Sequence, residues 1–132
     1  DDQLNGQLFK DLIQNTVNNV TVDWVINGEE VMEKVVTKHY DIILMDIEMP
    51  LKNGFETSSE IRKSENAKIN NIPIIAMTAH LVEDVLERCY QNGMNDCISK
   101  PFQIEILYKK ISETIKNIDL GKSISSNNKA KY

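Results

Sequence analysis

Apolar positions in this chain change spacing from segment to segment, and the spacing predicts the elements. Leu4, Leu8, Phe9, Leu12 and Ile13 recur at helical intervals, with Gln7, Lys10 and Gln14 opposite them, so the chain opens on an amphipathic helix. Val20, Val22, Trp24 and Ile26 alternate with smaller or polar residues, which predicts a short strand ending at Asn27-Gly28. Asn27 with Glu30 three residues later is a helix N-cap signature, and Val31, Met32, Val35 and Val36 supply that helix's inward face. Asp41 to Met45 is nearly all apolar, as expected of a parallel strand covered on both faces, and it breaks off at Asp46. Asn53-Gly54 signals a turn, Phe55 to Arg62 a helix with Phe55 and Ile61 inward, and Ser64 to Asn71 a polar loop. A second apolar run, Ile72 to Met77, stops at Thr78. Val82, Val85, Leu86 and Cys89 mark another helix, closed by Asn92-Gly93, where glycine suits the left-handed C-terminal position. Asp96 to Ser99 is a third short run ending at Lys100-Pro101, and Ile104, Leu107, Ile111 and Ile115 line a last helix.

Strands and helices that alternate at this interval predict an α/β domain with a doubly wound parallel sheet, because right-handed crossovers leave few other arrangements. From Gly121 the segment turns Ser-, Asn- and Lys-rich and loses periodicity, so the domain is expected over 1–117 and a tail or linker over 118–132. The 132 residues fit one domain, and 41% hydrophobic with 27% charged residues is an ordinary globular balance. A net charge of −5, with no basic stripe interleaved with aromatics, argues against nucleic-acid binding by this segment. No apolar run approaches the roughly 18 residues of a membrane span, and a cytoplasmic location without membrane contact is expected. Cys89 and Cys97 lack metal-ligand spacing and read as two reduced, half-buried thiols.

In an open α/β sheet the functional crevice lies beyond the carboxyl ends of the strands. Three strand ends carry Asp46, Thr78 and Lys100, so a carboxylate, a hydroxyl and an ammonium are expected at one rim. Asp1-Asp2, just before the first helix, would bring two more carboxylates. Three crowded carboxylates repel one another unless a cation binds, and hard oxygen ligands suit Mg²⁺, which shares phosphate oxygens. Such a site could place a phosphoryl group in line with Asp46 as nucleophile, with Lys100 and Thr78 on its equatorial oxygens. Singly, each residue has a plainer reading: a turn-forming Asp, a strand-ending Thr, a solvated Lys.

Jointly, these residues resemble the response-regulator receiver domains of two-component signalling, over about Asp1 to Asn117. Asp41-Ile-Ile-Leu-Met-Asp-Ile-Glu-Met-Pro50 with Gly54 is similar to the family's phosphoacceptor strand and loop. Pro73-Ile-Ile-Ala-Met-Thr-Ala79 resembles its switch-threonine strand, and Gly93-Met-Asn-Asp-Cys-Ile-Ser-Lys-Pro-Phe102 its Lys-Pro segment. The wording around His80 and Phe102 looks most like receivers attached to hybrid sensor histidine kinases. The resemblance implies a flavodoxin-like sheet, nominally of five strands. It implies Asp46 as the phosphorylated residue, Asp1, Asp2, Asp46 and the backbone carbonyl of Glu48 as ligands to Mg²⁺ (or Mn²⁺ in its place), and Thr78 with Lys100 as the phosphate-sensing pair. Lys100-Pro101 is expected to be cis, and Glu48, Ala79, His80, Cys97 and Pro101 to modulate the site.

The family places an apolar strand before its acidic pair, whereas this sequence starts at Asp1; that strand is expected to be absent, and the spacing from the pair into the helix is about one residue short. Cys97 stands where many members carry a rotating aromatic, so no Tyr- or Phe-based switch is expected. His39 reads as a cation at the end of its helix rather than a ligand. The implied activity is Mg-dependent self-phosphorylation with slow autodephosphorylation, within a full-length histidine kinase if the receiver belongs to a hybrid. The implied partners are a histidine kinase or histidine phosphotransfer domain and a homodimer through the last two helices and the Cys97 strand, with Leu81, Val82 and Tyr108 as surface candidates. Two other readings compete. Haloacid-dehalogenase-type phosphohydrolases also use a strand-end Asp, Mg²⁺, Thr or Ser and Lys, but their nucleophile follows the first strand and a cap is usual. A degenerate receiver would act as a binding module only.

Overall fold

Three short apolar runs pair into one parallel sheet because each is flanked by helices that bury both of its faces. The computed structural model describes residues 10, 11, 13, 14, 21–23, 25–49 and 52–124. The strands are β1 (Ile43–Asp46), β2 (Ile74–Thr78) and β3 (Asp96–Ser99), in the order β1-β2-β3. Asp46 stands opposite Met77 and Thr78 opposite Ser99. Each ladder runs one residue further, with Ile47 N donating to Met77 O at 3.0 Å and Lys100 N to Thr78 O at 2.7 Å. That extension carries Lys100 to the same rim as Asp46 and Thr78.

Along β2 the side chains alternate between two cores, as the two-residue period of a strand requires. Ile74 and Ala76 join Met45, Phe55, Ile61, Cys89 and Cys97 on one face, with Val31 and Val35. Ile75 and Met77 join Ile13, Ile98 and Leu107 on the other. Helices therefore cover both faces: α1 (Gly28–Thr37), α2 (Gly54–Arg62) and α4 (Glu83–Gln91) one, α5 (Ile104–Ile124) the other. The Asn27 cap forms as expected, its side chain accepting from Glu30 N at 2.9 Å. Asn53 makes a full capping box with Glu56 at the start of α2. After α4 the chain reverses at Gly93, whose φ of 85° favours glycine. A Cβ there would also meet Arg62 Cγ at 2.5 Å.

Several expectations need correction. Thr21–Asp23 and Val25 are not in the sheet, so the strand expected over Val20–Ile26 does not form among the described residues. In a flavodoxin-like order of 2-1-3-4-5 the second strand pairs only with the first, and no described residue stands in that place. The polar loop from Ser64 contains a short helix, α3 (Ala67–Asn70), because the Asn66 side chain caps Lys68 N at 2.9 Å and Ile69 is buried beneath it. Val36 is 64% exposed: the inward stripe of α1 is Val31 and Val35, with Met32 half-buried, and the next residue turns about 100° past its edge. Ile115 is exposed for the same reason, since Thr114 takes the inward place after Leu107 and Ile111. Helix α5 continues past 117 to Ile124, where the sequence periodicity had already faded. Of the opening helix, Lys10, Asp11, Ile13 and Gln14 are helical, and the remainder lies outside the described residues.

Candidate functional site at the carboxyl ends of the strands

Parallel strands in register bring residues distant in sequence to one edge, and here they bring the expected trio together. Lys100 Nζ lies 2.6 Å from Asp46 Oδ2, with both side chains about one-third exposed. The other carboxylate oxygen, Oδ1, accepts from Glu48 N at 3.0 Å. Asp46 is thereby oriented by one charged and one neutral donor, and charge-assisted hydrogen bonds are the stronger kind. Thr78 is buried, and its hydroxyl donates to Glu48 Oε1 at 3.1 Å while accepting from His80 N at 3.1 Å. Ala79 and His80 are exposed at the mouth of the site. The Lys100-Pro101 peptide bond is cis, as expected.

The loop after Asp46 is shaped by its neighbours. Gly54 N donates to Ile47 O at 3.0 Å, and a Cβ on Gly54 would meet Asp46 O at 2.7 Å. The start of α2 therefore lies against the Asp46 backbone only because residue 54 has no side chain. The sequence marked Asn53-Gly54 as a turn; the close approach to Asp46 is what the structure adds.

Asp1 and Asp2 lie outside the described residues, so the structure places Asp46 and Glu48 of the expected acidic set and not the pair. Among the described residues no group of three or more His, Cys, Asp or Glu gathers in an arrangement that could hold a metal. His39 lies just beyond α1 with Nε2 3.4 Å from Asp41 Oδ1, both well exposed, away from the trio. The direct contact between the Glu48 side chain and the Thr78 hydroxyl was not visible in sequence, where Glu48 figured through its backbone carbonyl and as a modulating residue. Two residues of one strand-end loop and one of the next strand meet only through the register.

Comparison with known proteins agrees with this geometry. The family profile described as response regulator receiver domain matches residues 1–112. The chain belongs to the response regulator receiver domain family. It is 42% identical over 96 residues to hybrid signal transduction histidine kinase K of Dictyostelium discoideum, covering 69% of this chain and 8% of that protein. It is 33% identical over 137 residues to hybrid signal transduction histidine kinase I of the same organism, covering 99% of this chain and again 8% of the relative. The receiver domain of a sensor histidine kinase from Pseudomonas aeruginosa PAO1, solved with a magnesium ion coordinated in its active site cleft, superposes with a TM-score of 0.76. That match is 31% identical and covers 88% of this chain and 92% of the other. The flavodoxin-like receiver fold expected from sequence is therefore the fold of this domain, and its place is in two-component signalling. Among the described residues no helix is long and apolar enough to cross a membrane.

Proposed function

We propose that Asp46 is the phosphoacceptor of this receiver and that Thr78 and Lys100 respond to the phosphoryl group. The observation that carries the reading is the 2.6 Å contact between Lys100 Nζ and Asp46 Oδ2 at the strand-end rim. In the transfer, an Asp46 carboxylate oxygen forms a bond to phosphorus as the bond from phosphorus to a donor histidine nitrogen breaks. The imidazole leaves with the electron pair, and Asp46 becomes an acyl phosphate. Lys100 exchanges part of its contact with the carboxylate for a phosphoryl oxygen, which offsets the charge spread over the equatorial oxygens. Thr78 exchanges Glu48 for the phosphoryl group, and that exchange is the switching event.

Asp46 and Glu48 present only hard oxygen donors to a cation, which fits Mg²⁺, or Mn²⁺ in its place. Asp46, the Glu48 carbonyl and the Asp1-Asp2 pair would hold the ion, and when bound it offsets the repulsion between carboxylates and the incoming phosphate. The donor is a histidine kinase or a histidine phosphotransfer domain. Leu81, Val82, Tyr90 and Tyr108 are all exposed, and they are candidates for contact with a partner or a second copy. The test is incubation with Mg²⁺ and acetyl phosphate. The mass should rise by one phosphoryl group, and Asp46→Asn should abolish the gain. Rapid multiple-turnover hydrolysis would instead indicate a phosphatase, and no modification would leave a binding module.

A further inference from the structure

We propose that Cys89 and Cys97 form a redox-responsive dithiol, which a peroxide converts to an intradomain disulfide tying α4 to β3. The two sulfurs are 3.4 Å apart, both residues are buried, and neither is in a disulfide. Cys89 is the one buried residue of α4, and Cys97 lies on β3 in the same apolar cluster. Their separation is fixed from outside. The turn between them is held by Ser58 Oγ donating to Asn92 O at 2.7 Å, Arg62 Nε to Gly93 O at 2.8 Å and Arg62 Nη2 to Asn95 Oδ1 at 3.0 Å. A pair held in contact by a braced turn needs only a small local shift to bond, so the entropic cost of bringing the sulfurs together has already been met by the fold.

Burial keeps the pair quiet at rest. It pushes the Cys89 thiol up to about 12, with the Cys97 contact adding to the effect, and it also raises Cys97. The thiolate is the reactive form, so oxidation proceeds when α4 lifts. Its N-cap, Val82, offers no side-chain hydrogen bond where Asn27, Asn53 and Asn66 cap α1, α2 and α3, and most of its surface faces solvent, so it lifts more readily than those three. One thiolate attacks a peroxide oxygen, the O–O bond breaks, and the departing hydroxide leaves as water once protonated, giving a sulfenic acid. The second sulfur then displaces the remaining oxygen as water. Two thiol hydrogens and two electrons pass to one peroxide, giving one disulfide and two waters.

The bond would tie the helix that follows Thr78 to the strand that leads three residues on to Lys100. Any effect on signalling rests on the phosphoacceptor reading above, whereas formation of the bond does not. The folded protein is treated with hydrogen peroxide, quenched, unfolded and alkylated. Both cysteines should lose alkylation together, in a monomer, with full recovery after dithiothreitol. The melting temperature should rise by about 5 °C. Cys89→Ser or Cys97→Ser should convert the remaining thiol to higher oxides instead. Oxidation stopping at one cysteine, a disulfide-linked dimer, a lowered melting temperature, or no reaction where the unfolded chain reacts would each overturn the proposal. In a separate arm, acetyl phosphate uptake by the oxidised protein should fall several-fold below that of the reduced protein, and equal uptake would reject the signalling consequence. Failure of the reduced protein to take up phosphate would reject the phosphoacceptor reading and leave the disulfide result standing.

Discussion

The two ends of the sheet hold similar cations in different company. At the amino ends of the strands Arg62 donates to Gly93 O, to Asn70 O at 2.9 Å and to Asn95 Oδ1, and Asn95 Oδ1 also accepts from Ile74 N at 2.8 Å. Every acceptor is neutral and belongs to the fold. At the carboxyl ends Lys100 meets Asp46, the proposed phosphoacceptor. Arg62 is partly buried, enough for desolvation to lower its pKa, and Lys100 and Asp46 are about one-third exposed. A fixed, five-donor fork suits the first task, and a flexible point charge that can follow a moving anion suits the second. The cation type matters less than whether its partner can be exchanged.

The sharpest way to break this comparison is Asp46→Asn. Phosphoryl uptake from acetyl phosphate should be lost entirely. The unfolding free energy from urea titration should change by no more than about 1 kcal/mol, because the Asp46–Lys100 pair is partly solvated. A large loss of stability would mean that the rim is as structural as the opposite end.

Arg62→Ala tests the other half. It leaves the partly buried Asn70 and Gly93 carbonyls without this donor and Asn95 Oδ1 with Ile74 N alone, and should cost about 3 kcal/mol in urea unfolding. The fraction still folded should accept phosphate at the parental rate. A Lys at this position supplies a single point charge in place of the fork, so Arg62→Lys should recover less than half of the loss. Full recovery would show that charge alone, without geometry, holds this end.

Alkaline pH gives a smaller and graded effect. Burial pushes the Cys89 thiol up to about 12 in the fold from an ordinary value near 9, so above pH 9 the unfolded chain holds fewer protons than the native one. Stability contributed by the neutral thiol is complete below pH 9 and is lost as the pH rises toward 12. Thermal melts between pH 8 and 11 should fall less steeply in Cys89→Ala than in the parent, after each is referred to its own value at pH 8.

The rim was legible in sequence and the opposite end was not, for a physical reason. Asp46, Thr78 and Lys100 each terminate an apolar run, and parallel pairing alone brings such termini together. Arg62 carries no comparable mark. Its acceptors are backbone carbonyls and one amide, and any residue type supplies a carbonyl, so nothing along the chain points to them. The Cys89–Cys97 contact was hidden likewise, since a helix position and a strand position meet only after the turn at Gly93 is built. Helix faces were read slightly too wide at Val36 and Ile115, where apolar residues next to the inward stripe were counted as part of it. The Asn53–Glu56 capping box was within reach, because its three-residue spacing is the same signal that located the cap at Asn27.

Glu48 gives the smallest expected effect and the finest test of exchangeability. Its carboxylate accepts from Thr78, whose hydroxyl passes to a phosphoryl oxygen in the proposed switch, and in that reading it adds negative charge beside the incoming anion. Two roles are therefore superposed, a latch on the hydroxyl and a repulsive charge, and two substitutions separate them. Glu48→Gln keeps an acceptor oxygen for Thr78 and removes the charge. Glu48→Ala removes both. If repulsion at this exposed position amounts to about 1 kcal/mol, Glu48→Gln should speed acetyl phosphate uptake about fivefold. Glu48→Ala should go further, because Thr78 then has no competing acceptor, at a stability cost below about 1 kcal/mol for the lost hydrogen bond. Equal rates in the two variants would assign Glu48 to electrostatics alone. Unchanged rates in both would mean that Thr78 is held by His80 N and its strand, and that the rim resembles the Arg62 end more closely than its exposed charges imply.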